Sequence, residues 1–252
     1  MGVISKSLHS GVLQANPRTN VVVFMCVHDE RLIDAYEKSR KLSSQFKNYF
    51  YVFVGKGPVA PRKNVIIARD LLDNIEDNPL ASAFTMWYAV YKNIDLRRYD
   101  YVLFFEYDVL FAKDFLERLV LDAAVIGFKK RVFRGDGMFW RFLTAEIRRE
   151  YEDTIKQFSN DVCWLATSNA ALRVSTFHEY MRWCLPMYES HKELPTIGHF
   201  CERMLSLFLV HSKMVYTIQH PLLTHLQLNS HKTQKIDKDW VDFIDQLANN
   251  TI

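Results

Sequence analysis

Four apolar runs and two amphipathic segments alternate through the first 111 residues, and this alternation constrains the fold more than any other feature. Each run is short and is bounded by polar residues or glycine, which is typical of a buried strand. The runs are NVVVFMCVHDE (20–30), YFYVFVGKG (49–57), NVIIARD (64–70) and YDYVLFFEYDVLF (99–111). Segments 31–46 and 78–93 carry apolar residues at helical spacing. This order predicts an α/β fold with a doubly wound, mostly parallel sheet and helices on both of its faces.

The chain has 252 residues, enough to bury a core of its own. Residues 1–19 are polar and without pattern, so we expect a flexible N-terminal arm. Residues 20–252 are expected to form a single domain, with a regular half at 20–111 and a less regular half at 112–252. No stretch rich in glycine, serine or proline separates the two halves, which argues against an independent second domain.

Composition excludes several classes of protein. The net charge is +3 and the charges are scattered, which argues against a nucleic-acid-binding protein. The longest apolar run near the start, VVVFMCV, is too short for a membrane span or a signal peptide, so we expect a soluble, cytoplasmic protein. Four widely spaced cysteines predict reduced thiols. The phosphate-binding, dinucleotide-binding and serine hydrolase motifs GxxxxGK[ST], GxGxxG and GxSxG are all missing from the sequence.

Two carboxylates, Glu106 and Asp108, interrupt the fourth apolar run near its end. In a continuous strand they would point to the same side, roughly 6–7 Å apart, while Tyr107 would point away. Ligands of such sheets bind beyond the carboxyl ends of the strands. Two neighbouring carboxylates in an apolar setting repel one another, and Mg²⁺ or Mn²⁺ bound to their oxygens would offset that repulsion. The alternative is a pair of ordinary acids at a strand end, compensated by lysine or arginine.

An acid-x-acid motif that closes an apolar strand, about 80 residues after a first βα unit, resembles the nucleotide-sugar glycosyltransferases of the GT-A fold. Their signature is Asp-x-Asp, and this chain has Glu-Tyr-Asp; viral and bacterial sugar transferases of this size are similar. The resemblance covers roughly residues 20–225. It implies a Rossmann-like sheet, Mn²⁺ or Mg²⁺, a nucleoside-diphosphate sugar donor, and a glycan or glycoprotein acceptor. It also implies that 20–111 binds the nucleotide and that 112–252 forms the acceptor and sugar side.

The resemblance implies roles for the residues that follow the strands. The first strand exit would hold the base and ribose, and the third would supply an acid for the base or an arginine for the phosphates. In the motif, Asp108 would bind the metal directly, and Glu106 would reach the ribose or a metal-bound water. The predicted donor and cofactor residues are Val27, His28, Asp29, Glu30, Arg69, Asp70, Glu106, Tyr107 and Asp108.

A histidine after the last strand commonly completes the metal site in this fold. The segment HPLLTH offers His220 and His225, and His231 lies a little beyond it. We favour His225. The alternative is that these histidines serve packing or lie on the surface.

The resemblance also implies residues on the acceptor side. Inverting members use an acid at the start of a helix as the base, and Glu202 is the candidate, predicted in the first turn of the helix that Gly198 opens. His199 is a second candidate, and retention of configuration remains open. For Glu202 the alternatives are a contact with the helix dipole or a partner such as Arg203 or Lys213.

TSNAALRVS (167–175) resembles the segment that walls the sugar site, so Ser168 and Asn169 are expected to bind sugar hydroxyls; the alternative is a plain turn. The loop RVFRGDGMFWRF (131–142) combines aromatic residues with glycines and could close over a donor or simply pack on the core. Two other functions remain open: a metal-dependent nucleotidyltransferase or phosphoesterase, and a non-catalytic relative that binds nucleotide or glycan.

Overall fold

The computed structural model describes residues 19–128, 130–132, 142–156, 163–165, 168–219, 222–226 and 238–249. The strands are β1 Val21–Val27, β2 Tyr49–Phe53, β3 Val65–Ile67, β4 Tyr101–Glu106, β5 Val109–Phe111, β6 Val125–Gly127, β7 Lys130–Val132, β8 Cys163–Leu165, β9 Ala170–Arg173, β10 Tyr216–Ile218 and β11 Leu223–His225. The helices are α1 Glu30–Ser39, α2 Ala83–Asn93, α3 Phe115–Arg118, α4 Ala145–Glu150, α5 Glu152–Lys156, α6 Val174–His191, α7 Ile197–His211 and α8 Lys238–Ala248.

Within the described residues, seven strands form one central sheet in the order β10-β6-β9-β4-β1-β2-β3. Of these seven described strands, six run in the same direction and β9 runs against its neighbours β4 and β6. The prediction of a mostly parallel α/β sheet is therefore confirmed. Because β9 is reversed, its first residue, Ala170, lies beside Phe104 near the carboxyl end of β4. Strands from both 20–111 and 112–252 belong to this one sheet.

The sheet is covered on both faces, which explains the continuous apolar runs. In β1, Val22, Phe24 and Cys26 face a core layer that includes α2, α6 and α7, whereas Val23 and Met25 face the layer that includes α1 and α8. All five are buried. A strand that faces solvent on one side would have alternated with polar residues instead.

Three predicted elements are shorter than expected. The helix predicted at 31–46 ends at Ser39, because Arg40 takes up a left-handed conformation with φ 56°. The helix predicted at 78–93 begins with a 3₁₀ turn, Pro79–Ala81, and continues as α2 only after Ser82, whose φ is 52° and ψ −128°. The apolar run 99–111 holds two strands, since the chain turns at Tyr107 and Asp108.

Three cysteines have the reduced, buried state that the sequence predicts: Cys26, Cys184 and Cys201. The side chain of Cys163 lies outside the described residues. Within the described ranges, no helix is both long enough and apolar enough to cross a membrane.

Candidate active site at the carboxyl edge of the sheet

The ends of the central strands meet at one edge of the sheet. Cys26 in β1 pairs with Glu106 in β4, and Val27 pairs with Phe53 in β2. The segment before β9 reaches the same edge because that strand is reversed. Residues predicted from separate parts of the sequence are thus brought close together at this edge.

Glu106 is held by a buried carboxamide. Its backbone N–H donates to Asn169 Oδ1 at 2.7 Å, and Asn169 Nδ2 donates to Glu106 Oε2 at 3.2 Å. Asn169 is only 1% exposed. The sequence predicted that Asn169 contacts a sugar; in the structure its carboxamide orients the first acid of the motif.

Asp108 is buried, with 3% of its surface exposed, in the turn that follows β4. The prediction that both acids lie along one continuous strand is wrong, because β4 ends at Glu106. Both acids nevertheless lie close enough to Cys26 of β1 for their charges to act on its thiol. The charges of both acids add to the effect of burial in raising the pKa of the Cys26 thiol.

Tyr36 of α1 fixes the backbone of this turn. Its hydroxyl lies 3.0 Å from the carbonyl oxygens of both Tyr107 and Val109, to which it can donate. Burial, with a smaller contribution from the charge of Asp108, raises the pKa of Tyr36. The sequence pattern marked Tyr36 only as part of an apolar helix face, and nothing in that pattern reveals a role for its hydroxyl.

A second strand pair places His225 near the acid motif. In the ladder between β11 and β5, His225 lies opposite Val109, and the N–H of Leu226 donates to the carbonyl oxygen of Asp108 at 2.9 Å. The side chain of His225 lies outside the described residues, as do His220 and His231. Among the described side chains, no group of three or more histidines, cysteines and acids is arranged to hold a metal ion.

The residue that follows β1 contacts the acid motif through an aromatic ring pair. His28 meets Tyr107 edge to face, with 4.5 Å between the ring centroids. Asp29 caps α1 and binds Arg31 through contacts as short as 2.5 Å. Burial raises the pKa of Asp29, but the hydrogen bonds and charge of Arg31 outweigh it and hold the pKa below its usual value.

Glu30 turns toward a loop rather than toward the motif. Its carboxylate accepts hydrogen bonds from the Ala60 N–H and from Arg62, both at 2.9 Å. Val27, the last residue of β1, is fully buried. Asp29 therefore stabilises the start of α1, and Glu30 stabilises the loop that contains Ala60 and Arg62. Both lie at the end of the sheet where the nucleotide is predicted to bind.

Arg69 binds the loop after β2. Its Nη1 donates to the carbonyl oxygens of Gly55 and Gly57 at 2.7 and 2.9 Å. From the other side, the Glu76 carboxylate accepts the Gly55 N–H at 2.8 Å. Gly55 has φ 104°, a conformation that favours glycine. Asp70 is more exposed and lies 3.9 Å from Arg69.

No sequence pattern points to Glu76, which lies in an irregular segment between β3 and α2. With Arg69 it fixes the loop beside the predicted phosphate position.

Glu202 lies in the second turn of α7, one turn later than predicted. It forms an ion pair with Arg203, which was one of the alternatives raised by the sequence. Arg203 is 2% exposed and also donates to the His199 carbonyl oxygen at 3.0 Å.

His199 and Arg203, one turn apart, both contact the ring of Phe142 at 4.6 Å. The end of the aromatic loop 131–142 is thereby attached to α7; residues 133–141 lie outside the described residues.

Ser168 lies between the acid motif at the end of β4 and Glu202 on α7. It precedes Asn169, which holds Glu106, and it lines a small cavity together with Glu202. The remaining lining residues are Phe84, Trp87, Tyr180, Cys201 and Leu205. Residues 168–169, which the sequence predicts as sugar contacts, therefore lie between the acid motif and the predicted base Glu202.

Comparison with known proteins shows the fold. No family model and no curated protein sequence matches this chain. Among solved structures, the apo form of the bifunctional glycosyltransferase WbbM aligns with 16% identity and a TM-score of 0.59, covering 83% of this chain. This chain spans only 46% of the length of that WbbM chain.

An active-site mutant of LgtC aligns with 10% identity and a TM-score of 0.52, covering 90% of this chain and 95% of its own. A second LgtC structure, a galactosyltransferase in complex with donor and acceptor sugar analogs, has a TM-score of 0.47 at 10% identity, with the same coverage. The likeness to WbbM and to the LgtC mutant confirms that the chain has the GT-A-type fold of glycosyltransferases.

Proposed function

We propose that this protein is a metal-dependent glycosyltransferase that moves a sugar from a nucleoside-diphosphate sugar to a hydroxyl of a glycan or glycoprotein, with inversion of configuration. The observation that carries the proposal is the position of the acid motif within a GT-A-type fold. Glu106 and Asp108 lie where β4 ends, beside the exit of β1, at the edge where such sheets bind ligands.

The residues of the motif fit a divalent cation. Asp108 is a buried carboxylate, Glu106 ends β4 two residues before it, and carboxylate oxygens are the ligands that Mn²⁺ and Mg²⁺ prefer. His225 is the proposed third ligand, because its backbone lies opposite Val109; His220 is the alternative. When bound, the cation would hold the donor phosphates and stabilise charge on the departing nucleoside diphosphate.

The protein's own groups orient the reactants. Asn169 and Tyr36 fix Glu106 and the turn that carries Asp108, so the two carboxylates keep one arrangement before any ligand arrives. His28 and Tyr107 form an aromatic wall beside them. We assign this wall to the nucleotide base and ribose.

Glu202 is the proposed base. Its side chain is 25% exposed, which leaves it accessible, and the ion pair with Arg203 favours the ionised form from which a base must start. It would take the proton of the acceptor hydroxyl as that oxygen attacks the anomeric carbon and the bond to the nucleoside diphosphate breaks. Ser168, which lines the same cavity, is assigned to the sugar or acceptor hydroxyls.

The test is turnover of a panel of nucleoside-diphosphate sugars with Mn²⁺, with and without glycan acceptors, by the wild type and by Asp108→Asn. We expect the variant to remain folded and to lose turnover by roughly 10²- to 10³-fold, because one charge of the metal site is removed. The matched control is Asp95→Asn, an exposed acid paired with Arg97 before β4, which should retain full turnover.

Each other result would contradict the metal assignment or favour a different function. Full activity of Asp108→Asn would contradict the metal assignment. Metal-dependent binding of a nucleotide sugar without turnover would favour a non-catalytic relative. Release of pyrophosphate or cleavage of phosphoesters, without sugar transfer, would favour a nucleotidyltransferase or phosphoesterase.

A further inference from the structure

Trp87 of α2 packs deep in the core beside the predicted base. It is 4% exposed, its ring stacks on Phe104 with 4.5 Å between centroids, and it meets Tyr180 edge to face at 5.7 Å. These contacts fix the plane of the indole. They involve the ring faces and edges and do not use the indole N–H as a donor to a hydrogen-bond acceptor.

The indole N–H of Trp87 is fully buried and has no hydrogen-bond partner among the described residues. Buried polar groups almost always have a partner in proteins, and the exceptions commonly mark the position of a bound water. Trp87 lines the small cavity that Ser168 and Glu202 also line. The residue that carries the unsatisfied donor therefore lines the same space as a serine and a glutamate.

The size and chemistry of this cavity suit a single water molecule. There is room in it for about one water. A buried water usually makes about three hydrogen bonds. Trp87 can donate one, the Glu202 carboxylate can accept one, and the Ser168 hydroxyl can do either.

We propose that one buried water molecule occupies this cavity, accepts a hydrogen bond from Nε1 of Trp87 and donates one to the carboxylate of Glu202, with the Ser168 hydroxyl as its third partner. Trp87 is then a positioning residue: through the water it fixes the carboxylate of Glu202 from the side of the core, while Arg203 holds it along α7. The water site stands independently of any activity. Its importance for turnover rests on the proposed function.

The water is tested by NMR on the ¹⁵N-labelled full chain. The chain has five tryptophans, and the indole signal missing in Trp87→Phe identifies the signal of Trp87. We expect this N–H to show NOE and ROE cross peaks to water of opposite sign, as a long-lived bound water does. The cross peaks should persist in Ser168→Ala, which removes the hydroxyl as a source of exchange-relayed signal. Absence of both cross peaks from the wild type would mean a dry cavity and would overturn the proposal.

The positioning role is tested by kinetics on the same variant. Trp87→Phe keeps an aromatic ring against Phe104 but removes the N–H. We expect kcat to fall roughly tenfold with KM for the donor unchanged, because the carboxylate loses a positioning contact and the donor site is untouched. An unchanged kcat would overturn the positioning role.

The control is Tyr99→Phe. This variant also removes a buried polar atom that has no partner among the described residues. Tyr99, however, lies before the amino end of β4, at the end of the sheet opposite to the site. The variant should leave both kcat and the Trp87 signal unchanged. If the wild type turns over no nucleotide sugar, the proposed function fails while the NMR result still decides whether the water is present.

Discussion

The two acidic regions of the site are held in place by different chemistry. At the end of β4, Glu106 is bound by the neutral carboxamide of Asn169, and the following turn is held by the hydroxyl of Tyr36. On α7, Glu202 is bound by the guanidinium of Arg203. A carboxamide or hydroxyl orients its partner without adding a positive charge, whereas a guanidinium brings a charge of its own.

This difference matches the two proposed roles. A cation site needs its carboxylates oriented by neutral groups, because a neighbouring arginine would compete with the metal. A base near neutral pH must start ionised, and an adjacent guanidinium favours that form. The kind of group that holds a carboxylate therefore gives information about its function that the acid alone does not.

The largest effect on stability is expected at the charged pair. Arg203→Met leaves Glu202 without its guanidinium and should lower the free energy of unfolding by roughly 3 kcal/mol, since breaking a largely buried ion pair leaves an uncompensated charge. Urea denaturation measures it. Arg97→Met, which breaks the exposed pair with Asp95, is the control and should leave stability unchanged. Equal stability of both variants would show that the α7 pair is held no more firmly than a surface pair.

The neutral contact should matter less to stability and more to metal binding. Asn169→Ala leaves the Glu106 N–H without the oxygen that accepts it, which should lower the free energy of unfolding by about 2 kcal/mol. It should also raise the Mn²⁺ concentration needed for half-maximal turnover, because Glu106 loses its orientation. Asn64→Ala removes a similar carboxamide contact, to Glu37, far along the sheet, and should leave that concentration unchanged. The same Mn²⁺ requirement in both variants would contradict the role of Asn169.

The sequence predicted those parts of the fold and site that depend on local pattern. The apolar runs identified β1 to β4, because a strand covered on both faces is continuously apolar, and the acids that interrupt the fourth run identified the motif. The turn at Tyr107 was not predictable, since the run continues as apolar residues into β5. The pair of Glu202 and Arg203 was among the alternatives that the sequence raised, because the two residues are adjacent in the chain. Asn169 was named only as a sugar contact, Tyr36 lay within a predicted helix, and Glu76 lay in a segment without pattern. The partners of these three residues are far away in sequence, and only the tertiary structure brings them together.

A smaller effect is expected at the hydroxyl that holds the turn. Tyr36→Phe removes its contacts to the carbonyl oxygens of Tyr107 and Val109 and should lower the free energy of unfolding by about 1 kcal/mol. Tyr99 is the matched control, because its buried hydroxyl has no partner among the described residues and Tyr99→Phe should be neutral or slightly stabilising. The two variants are compared by thermal and urea unfolding. If Tyr99→Phe proved the more destabilising, the Tyr36 hydroxyl would not be what fixes the motif.

The smallest effect concerns a third carboxylate, Glu76, which holds a backbone N–H rather than a charged partner. Burial raises its pKa, and the hydrogen bond from Gly55 and the charge of Arg69 only partly oppose this. A raised pKa means that the folded state favours the protonated form, so Glu76 lowers stability progressively as the pH rises from its ordinary value of 4.5 through the higher pKa of the folded state. Glu76→Gln keeps an oxygen for the Gly55 N–H but cannot ionise. The variant should therefore match the wild type below pH 4.5 and become the more stable protein as the pH approaches 7, by urea denaturation across that range. A wild type that gains stability relative to the variant over this interval would show that Arg69 dominates, and that Glu76 belongs with Glu202 among the carboxylates held by charge.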